Sequence, residues 1–380
     1  MNVLVFSDEY PPAGGGAGVV ASQLVSNLVA MGHKVVLLSG DEGQAPEAKA
    51  QEHVRVHRTT LIWPMAYLRA LLKLRPKLSS FDAIVLNDIV AVYVAGLFFN
   101  ETQLSKCVII AHGDDAAYVF KKTSTKHHVF QIKAFCGRTL RHCMKVVAVS
   151  RYAKELYCNN IPNDPRLQNV DHHYAGLDLE GMKPLASITQ TKTDIGVPEE
   201  ATLLFSAGRV EEEKGFLHQF TLFKEEVDQG SNYVWLIAGD GALRDRLQAM
   251  VEANNLTERV RFLGQLPREK LATYYKLADV FWLLSHATYE TMGLVYLEAA
   301  FYGTPSIGLR NFGVIEAISE GKSGYFYEGG RIGQLIDRCA ENITSQDCID
   351  HAMQFSSVSF AKYVVPASVG HRSDVVPASV

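Results

Sequence analysis

Met1-Asn-Val-Leu-Val-Phe-Ser7-Asp-Glu-Tyr-Pro-Pro-Ala-Gly-Gly-Gly-Ala-Gly18, answered farther on by Lys34-Val-Val-Leu-Leu-Ser39, is the stretch that decides the fold. Val3–Ser7 is a short, nearly continuous apolar run, the form of a strand covered on both faces. Tyr10 to Gly18 is a Pro/Gly loop. Val19 to Ala30 repeats apolar residues at helical spacing and is stopped by Gly32. Lys34–Ser39 is a second strand, so the segment is a β-α-β unit of a parallel sheet. With no basic leader before its apolar run, Met1–Ser7 reads as a first strand, not a signal peptide.

The alternation continues outward. Strands fit Ala83–Leu86, Cys107–Ala111 and Val146–Val149, with helical sequence between. A polar, turn-rich region from about Gly181 to Ala201 is the natural linker. Strands then fit Leu203–Ala207, Val234–Ala238, Val260–Phe262, Val280–Leu284 and Pro305–Gly308, with helices over Leu243–Asn254 and Arg268–Lys276 among the connections. The expected architecture is α/β, with two Rossmann-like parallel-sheet domains over 1–182 and 183–345. Val364-Val-Pro-Ala-Ser-Val369 recurs as Val375-Val-Pro-Ala-Ser-Val380. Two copies do not make a solenoid, and 364–380 is set aside as a tail that need not be native.

Composition narrows the functional classes. At 47% apolar and 21% charged residues the chain is an ordinary globular one, and no stretch reaches the ~20 apolar residues that span a bilayer. Its six cysteines show no C-x-x-C pair or zinc spacing, which favours scattered reduced thiols in the cytoplasm. The net charge of −4 is unevenly spread: residues 1–180 hold 19 Lys and Arg against 16 Asp and Glu, or +3, leaving −7 for the rest. Arg69–Lys77 carries four bases, and Phe120–Lys145 carries seven with three histidines, neither segment holding an acid. Such patches suit an anionic surface, a soluble anionic acceptor or plain solvation.

Gly16-Ala-Gly18-Val-Val-Ala21 matches the G-x-G-x-x-A dinucleotide pattern, and Asp41 follows at about the right distance. The spacing argues against NAD, because Asp8–Ala13 separates the strand from the glycines. No P-loop and no D-x-D metal–nucleotide signature occurs. The second half is more informative. Arg209 and Lys214 follow strand Leu203–Ala207, at the sheet edge where open α/β folds bind ligands. Together they suit a diphosphate, although a solvated ion-pair surface has the same composition. Gly303 and Pro305 stop a helix running from about Gly293 to Tyr302. Glu290 falls in the loop before it. Glu298 lies inside it among Leu297, Ala299, Ala300 and Phe301, where a carboxylate needs a partner, such as a vicinal diol. The amides of Met292, Gly293 and Leu294 form a helix N-terminus suited to phosphate. Diol, phosphate and cations together describe a sugar nucleotide.

In this order of motifs the chain resembles the retaining glycosyltransferases of family 4, which have the two-Rossmann GT-B fold. The resemblance spans roughly residues 1–363. It rests on Gly208-Arg209…Lys214-Gly215, Ala238-Gly-Asp-Gly241, the Glu290/Glu298 E-x(7)-E pair followed by Gly303-Thr-Pro305, the N-terminal glycine loop and Gly32-His-Lys-Val. It implies two domains facing a central cleft and a helix over 346–363 crossing back to the first domain. It also implies residue roles. Glu298 would accept from the donor's ribose hydroxyls, Glu290 from the transferred sugar, and Arg209 and Lys214 would hold the pyrophosphate. Met292, Gly293 and Leu294 would donate amides, with Gly239 also at the donor. Gly15 and Gly16 would lie against the donor phosphate or the acceptor. His112 in Ala111-His-Gly-Asp114 would stand near the reacting sugar, and with Arg209, Lys214 and Glu290 it makes up the catalytic set.

Two positions depart from the family pattern: E-G-F-G is Glu290-Thr-Met-Gly293, and N-G-[VI]-D is Ala175-Gly-Leu-Asp178, which weakens any role for Asp178. The implied activity is metal-independent, retaining transfer of a hexose-type sugar from a nucleoside-diphosphate sugar, which is a co-substrate and not a cofactor. The acceptor would be a glycan or lipid-linked molecule of cell-surface polysaccharide or lipopolysaccharide synthesis, met at the inner face of the cytoplasmic membrane through 69–77 and 120–145. No nucleic-acid partner is expected. A GT-B sugar-nucleotide epimerase and a non-catalytic sugar-nucleotide-binding subunit are the competing readings.

Overall fold

The apolar runs form strands because a parallel sheet covered by helices on both faces buries every side chain along them. A computed structural model describes residues 1–11, 15–41, 49–57, 63–167 and 169–366. Pro12–Gly14 of the glycine loop, and the tail from 367 onward, lie outside the described residues. The chain divides into two units, one of Met1–Ala175 with the segment from Ser357 on, the other Gly176–Ser356.

The first unit is built on β1 (Asn2–Ser7), β2 (Lys34–Asp41), β3 (Glu52–His57), β4 (Ala83–Leu86), β5 (Cys107–Ala111), β6 (Lys145–Ala148) and β7 (Val170–His172). They pair in parallel in the order β3-β2-β1-β4-β5-β6-β7. Val3–Phe6 and Ile84–Leu86 are wholly buried at its centre. The two outermost strands are the ones the periodicity misses. The helix expected from Val19 instead starts at Gly16 and runs to Ala30, so Gly16 and Gly18 are helical, with Gly18 buried. The helix Ser357–Val364 packs on that helix. Asn27 donates to the Ser357 hydroxyl at 2.9 Å, Lys145 donates to the Tyr363 carbonyl at 2.8 Å, and the His173 ring stacks on Tyr363.

The second unit is built on β8 (Thr202–Ala207), β9 (Tyr233–Ala238), β10 (Val260–Gly264), β11 (Val280–Leu283), β12 (Ser306–Leu309) and β13 (Gly324–Tyr327). The parallel order is β10-β9-β8-β11-β12-β13. Trp235 and Trp282, both fully buried, meet edge-on with ring centres 5.0 Å apart. Inside this apolar layer the Ser206 hydroxyl donates to the Trp282 carbonyl (2.6 Å) and accepts from the Trp235 indole (2.9 Å), so it is satisfied despite its burial.

Both sheets have the Rossmann order, which reverses between β1 and β4 in one and between β8 and β11 in the other. In open α/β folds the loops leaving the carboxyl ends of strands at such a reversal diverge and leave a crevice where ligands bind.

Candidate functional site

In the second unit the reversal point is framed by the loops after β8 and β11, and these carry the residues singled out from the sequence. Lys214 ends a short 3-10 turn, Glu212–Lys214. Its ammonium pairs with Oε2 of Glu290, and the two side chains are only 11% and 14% exposed. The fully buried Ser285 hydroxyl donates to the same oxygen at 3.4 Å. All these bonds fall on Oε2, and none among the described residues falls on Oε1 of Glu290. Arg209 is the more open cation. It pairs with Glu211 at 3.0 Å and lies over the Tyr289 ring at 5.6 Å, and the Lys214 ammonium is 5.3 Å from the same ring. The two cations predicted at the sheet edge thus share one aromatic ring.

Backbone contacts hold these loops. Gly215 has φ +79, and a Cβ there would come within 2.0 Å of the Leu284 carbonyl. Gly239 has φ +131 with the Gly208 carbonyl 1.8 Å from its would-be Cβ, and a Cβ on Gly313 would meet Thr291 at 2.3 Å. Gly239, expected at the donor, is where the loops after β8 and β9 touch. Gly293, in the left-handed region at φ +64, leads into the helix Leu294–Phe301. The N–H groups of Met292 and Gly293 donate to nothing among the described residues, and Leu294, as first helical residue, has no partner within the helix.

Glu298 lies on that helix, as expected, but its carboxylate already has protein partners. The Tyr275 hydroxyl donates to Oε2 at 2.9 Å, and Arg268 stands 3.6 Å from Oε1. Burial pushes its pKa up, and Arg268 and the Tyr275 bond counter this only in part. Its tolerance in an apolar helix is explained inside the unit, with acceptor sites left on Oε1.

In the first unit the reversal point collects a polar group around the ends of β1, β4 and β5. His112 follows β5, and its Nε2 lies 3.3 Å from Oδ1 of the fully buried Asn87, at the end of β4. Its backbone N–H donates to Asp115 at 2.7 Å. Burial lowers the His112 pKa, against the pull of Asp115 and Glu9. Asp88 caps the helix Ile89–Phe98 by accepting from the Ala91 amide at 2.9 Å, and it also accepts from the amides of Asp8 and Glu9. Burial, with the adjacent Asp8 carboxylate, raises its pKa to about 7. Gly15 reaches this group through its amide, which donates to Glu9 at 3.3 Å, whereas Gly16 begins the helix.

Sequence reading missed Asn87, Asp88, Asp8 and Asp115 here, and Ser285, Tyr275, Tyr289 and Arg268 in the second unit. The Asn87-Asp88 pair directly after an apolar strand was the available signal. Asp178, at the altered family position, accepts from the Gly181 amide in a turn (3.2 Å).

The basic segments are only partly available. Arg69, Lys73, Arg75 and Lys77 are exposed on the helix Trp63–Leu78 beside the half-exposed Met65 and Leu72, with Lys77 paired to Glu52 at 2.6 Å. In 120–145, Lys121, Lys122, Lys126, Lys133 and Arg141 are exposed. Arg138 turns in to the Gly96 carbonyl (2.6 Å), as Lys145 does to Tyr363. Among the described residues no helix is long and apolar enough to cross a membrane.

Comparison with known proteins follows this division. The model of glycosyltransferase family 4 matches residues 14–180, and that of the glycosyl transferases group 1 matches 187–357. The chain is 23% identical over 289 residues to a 2-deoxystreptamine N-acetyl-D-glucosaminyltransferase of Niallia circulans, covering 75% of this chain and 72% of that one. A D-inositol 3-phosphate glycosyltransferase of Corynebacterium jeikeium is 27% identical over 225 residues, 53% of each chain. Across several such curated relatives the match spans only 38% to 53% of the relative's length. Among solved structures, a sucrose-phosphate synthase from Thermosynechococcus elongatus superposes with a TM-score of 0.75 at 18% identity, over 96% of this chain and 97% of that one. Anabaena HepE in complex with UDP-glucose gives 0.70 at 17% identity, over 95% and 98%. With one family model on each Rossmann-like half, the chain belongs to glycosyltransferase family 4 and has the GT-B fold.

Proposed function

We propose that this chain moves a hexose-type sugar from a nucleoside-diphosphate sugar to a glycan or lipid-linked acceptor, with retention at the anomeric carbon and without a metal ion. The observation that carries the reading is the convergence of Arg209, Lys214 and Glu290 where the strand order of the second unit reverses. Arg209 and Lys214 hold the diphosphate and offset the charge that grows on it as the bond to the sugar breaks, and the free amides of Met292, Gly293 and Leu294 add to that field. Glu290 accepts from sugar hydroxyls through Oε1, and Glu298 from the ribose. Both carboxylates position, and neither acts as the acid or base of a glycosidase. His112, by the family resemblance, stands near the reacting sugar. The nucleotide complexes of HepE and the transferase names of the relatives support the donor class.

We place the reaction in cell-surface polysaccharide or lipopolysaccharide synthesis, at the inner face of the cytoplasmic membrane. The exposed bases of 69–77 and 120–145 would meet anionic lipid there, each worth about 1 kcal/mol near such a surface. Liposome co-sedimentation tests this: binding to anionic vesicles at low salt that is lost at high salt is expected, and no binding at low salt ends the membrane reading.

The decisive experiment is a thermal-shift screen of UDP-, GDP- and ADP-sugars followed by a transfer assay. Stabilisation by one sugar nucleotide, then acceptor-dependent transfer that falls at least ~10²-fold in Arg209→Ala and Lys214→Ala, is expected. Near-normal transfer by both variants overturns the assignment. Conversion of the sugar nucleotide without acceptor would show an epimerase instead.

A further inference from the structure

We propose that Asn87 fixes the ring of His112 in the tautomer protonated at Nε2, so that Nδ1 is presented as a bare hydrogen-bond acceptor. The inference concerns a positioning residue for the transfer reaction, and its kinetic consequence rests on the role given to His112 above. The argument begins at the Asn87 amide, which is fully buried and held from two sides. Its Nδ2 stands 3.0 Å from the carbonyl of Ala17, a group that only accepts, and 2.9 Å from the Ser7 hydroxyl. That hydroxyl already sends its proton to the Glu9 carbonyl at 2.5 Å, so toward Asn87 it too is an acceptor. Turning the amide over would set its oxygen against two acceptors in a buried site, at the cost of both bonds.

Oδ1 of Asn87 therefore faces the imidazole, 3.3 Å from Nε2. An amide oxygen cannot donate, so the proton of this contact is on the ring. In a neutral imidazole a proton on Nε2 leaves Nδ1 bare, and the hydrogen bond at one nitrogen sets the state of the other. Burial, which disfavours the imidazolium, works in the same direction. The groups facing His112 are Asp115, whose carboxylate takes the His112 backbone amide, and Glu9 beyond β1. Nδ1 has no hydrogen-bond partner among the described residues. The geometry thus assigns His112 the part of acceptor for a hydroxyl or ammonium group of a substrate. The assignment runs β1 to β4 to β5, through Ser7, Asn87 and His112.

The test uses full-length protein labelled with ¹⁵N-histidine, with the His112 signals identified by their loss in His112→Gln. Above the His112 pKa, wild type is expected to show Nε2 near the protonated limit and Nδ1 near the bare limit. In Asn87→Ala the two shifts should move toward each other as the ring samples both tautomers. In Asn87→Asp, which keeps an acceptor at Oδ1, they should stay apart and the pKa of His112 should rise. On kinetics, Asn87→Ala should lower kcat/KM about fivefold, the worth of one net hydrogen bond. Nucleotide affinity should stay unchanged, with the acidic limb of the pH profile displaced upward in Asn87→Asp. A wild-type ring protonated at Nδ1, or shifts in folded Asn87→Ala identical to wild type, would overturn the proposal. The spectra read the tautomer whether or not transfer is detected, so a failure of the functional reading is told apart from a failure of this one.

Discussion

Replacing Lys214 by methionine keeps most of its apolar stem and removes the ammonium that Glu290 faces. The two side chains are 11% and 14% exposed, and the remaining bond to Glu290, from Ser285, is long at 3.4 Å. An ion stranded in a fully buried site costs about 3–5 kcal/mol, and the residual exposure here brings the expected figure to about 2 kcal/mol. For a unit the size of Gly176–Ser356 each kcal/mol moves the midpoint by about 2–4 °C, so Lys214→Met should melt about 4–8 °C early. Adding Glu290→Gln removes the stranded charge, so the double variant should recover most of that loss, a coupling energy of about 2 kcal/mol. The assay is a four-membered thermal and urea unfolding series, with nucleotide-sugar binding measured by calorimetry on each member. The double variant should be stable yet unable to bind the donor. The reasoning fails if Lys214→Met melts with wild type, or if the double variant loses as much as the two single ones combined.

Three further outcomes are expected. Gly215→Ala forces a side chain into φ +79 and against the Leu284 carbonyl, so it should destabilise by about 2 kcal/mol or more and displace Lys214; wild-type melting with intact nucleotide affinity would contradict this. Tyr275→Phe removes the hydroxyl that donates to Glu298, a bond to a charged group worth about 1.5–3 kcal/mol, and an unchanged urea midpoint would show the contact to be idle. Asp88 binds its proton more tightly folded than unfolded, with a pKa of about 7 against the ordinary 3.8, so its contribution is complete below the lower value and is lost as pH climbs toward the upper one. Asp88→Asn should therefore flatten the stability–pH curve between about 4 and 7, where one such group contributes up to about 1.4 kcal/mol per pH unit, and a slope identical to wild type would refute the shift.

Of the thirteen strands among the described residues ten were legible, most of them because a strand buried on both faces reads as an uninterrupted apolar run, as in Ala83-Ile-Val-Leu86 and Tyr233-Val-Trp-Leu-Ile-Ala238; the edge strand Val260–Gly264 was read despite Arg261. The other three lie at sheet edges and lack that pattern. Glu52-His-Val-Arg-Val-His57 keeps one face polar, Val170-Asp-His172 is three residues long, and Gly324-Tyr-Phe-Tyr327 opens on glycine. Arg209, Lys214 and Glu290 could be placed from the sequence because each lies in the loop after a readable strand, and Glu298 because it is a lone carboxylate in an apolar helix. Their partners could not. Tyr275 lies 23 residues before Glu298 on another helix, and no periodicity joins them. The grouping of Ser7, Asn87 and His112 likewise exists only once β1, β4 and β5 are set side by side, which local sequence does not encode.

The glycine contacts at Gly215, Gly239 and Gly313 set main chain against main chain, so the loops of the second unit are registered to one another as a single casting. Such a frame cannot be retuned one loop at a time. A graft that carried residues 208–215 from another family member without 284–293 and 311–313 would set a foreign loop against the Leu284 carbonyl, which stands 2.0 Å from where a Cβ on residue 215 would lie. Variation that leaves this frame intact is confined to side chains that stand off it, such as the exposed Tyr289, or to transplanting all the loops together. The same restriction makes the backbone of this unit a fixed frame on which variation is written in side chains alone.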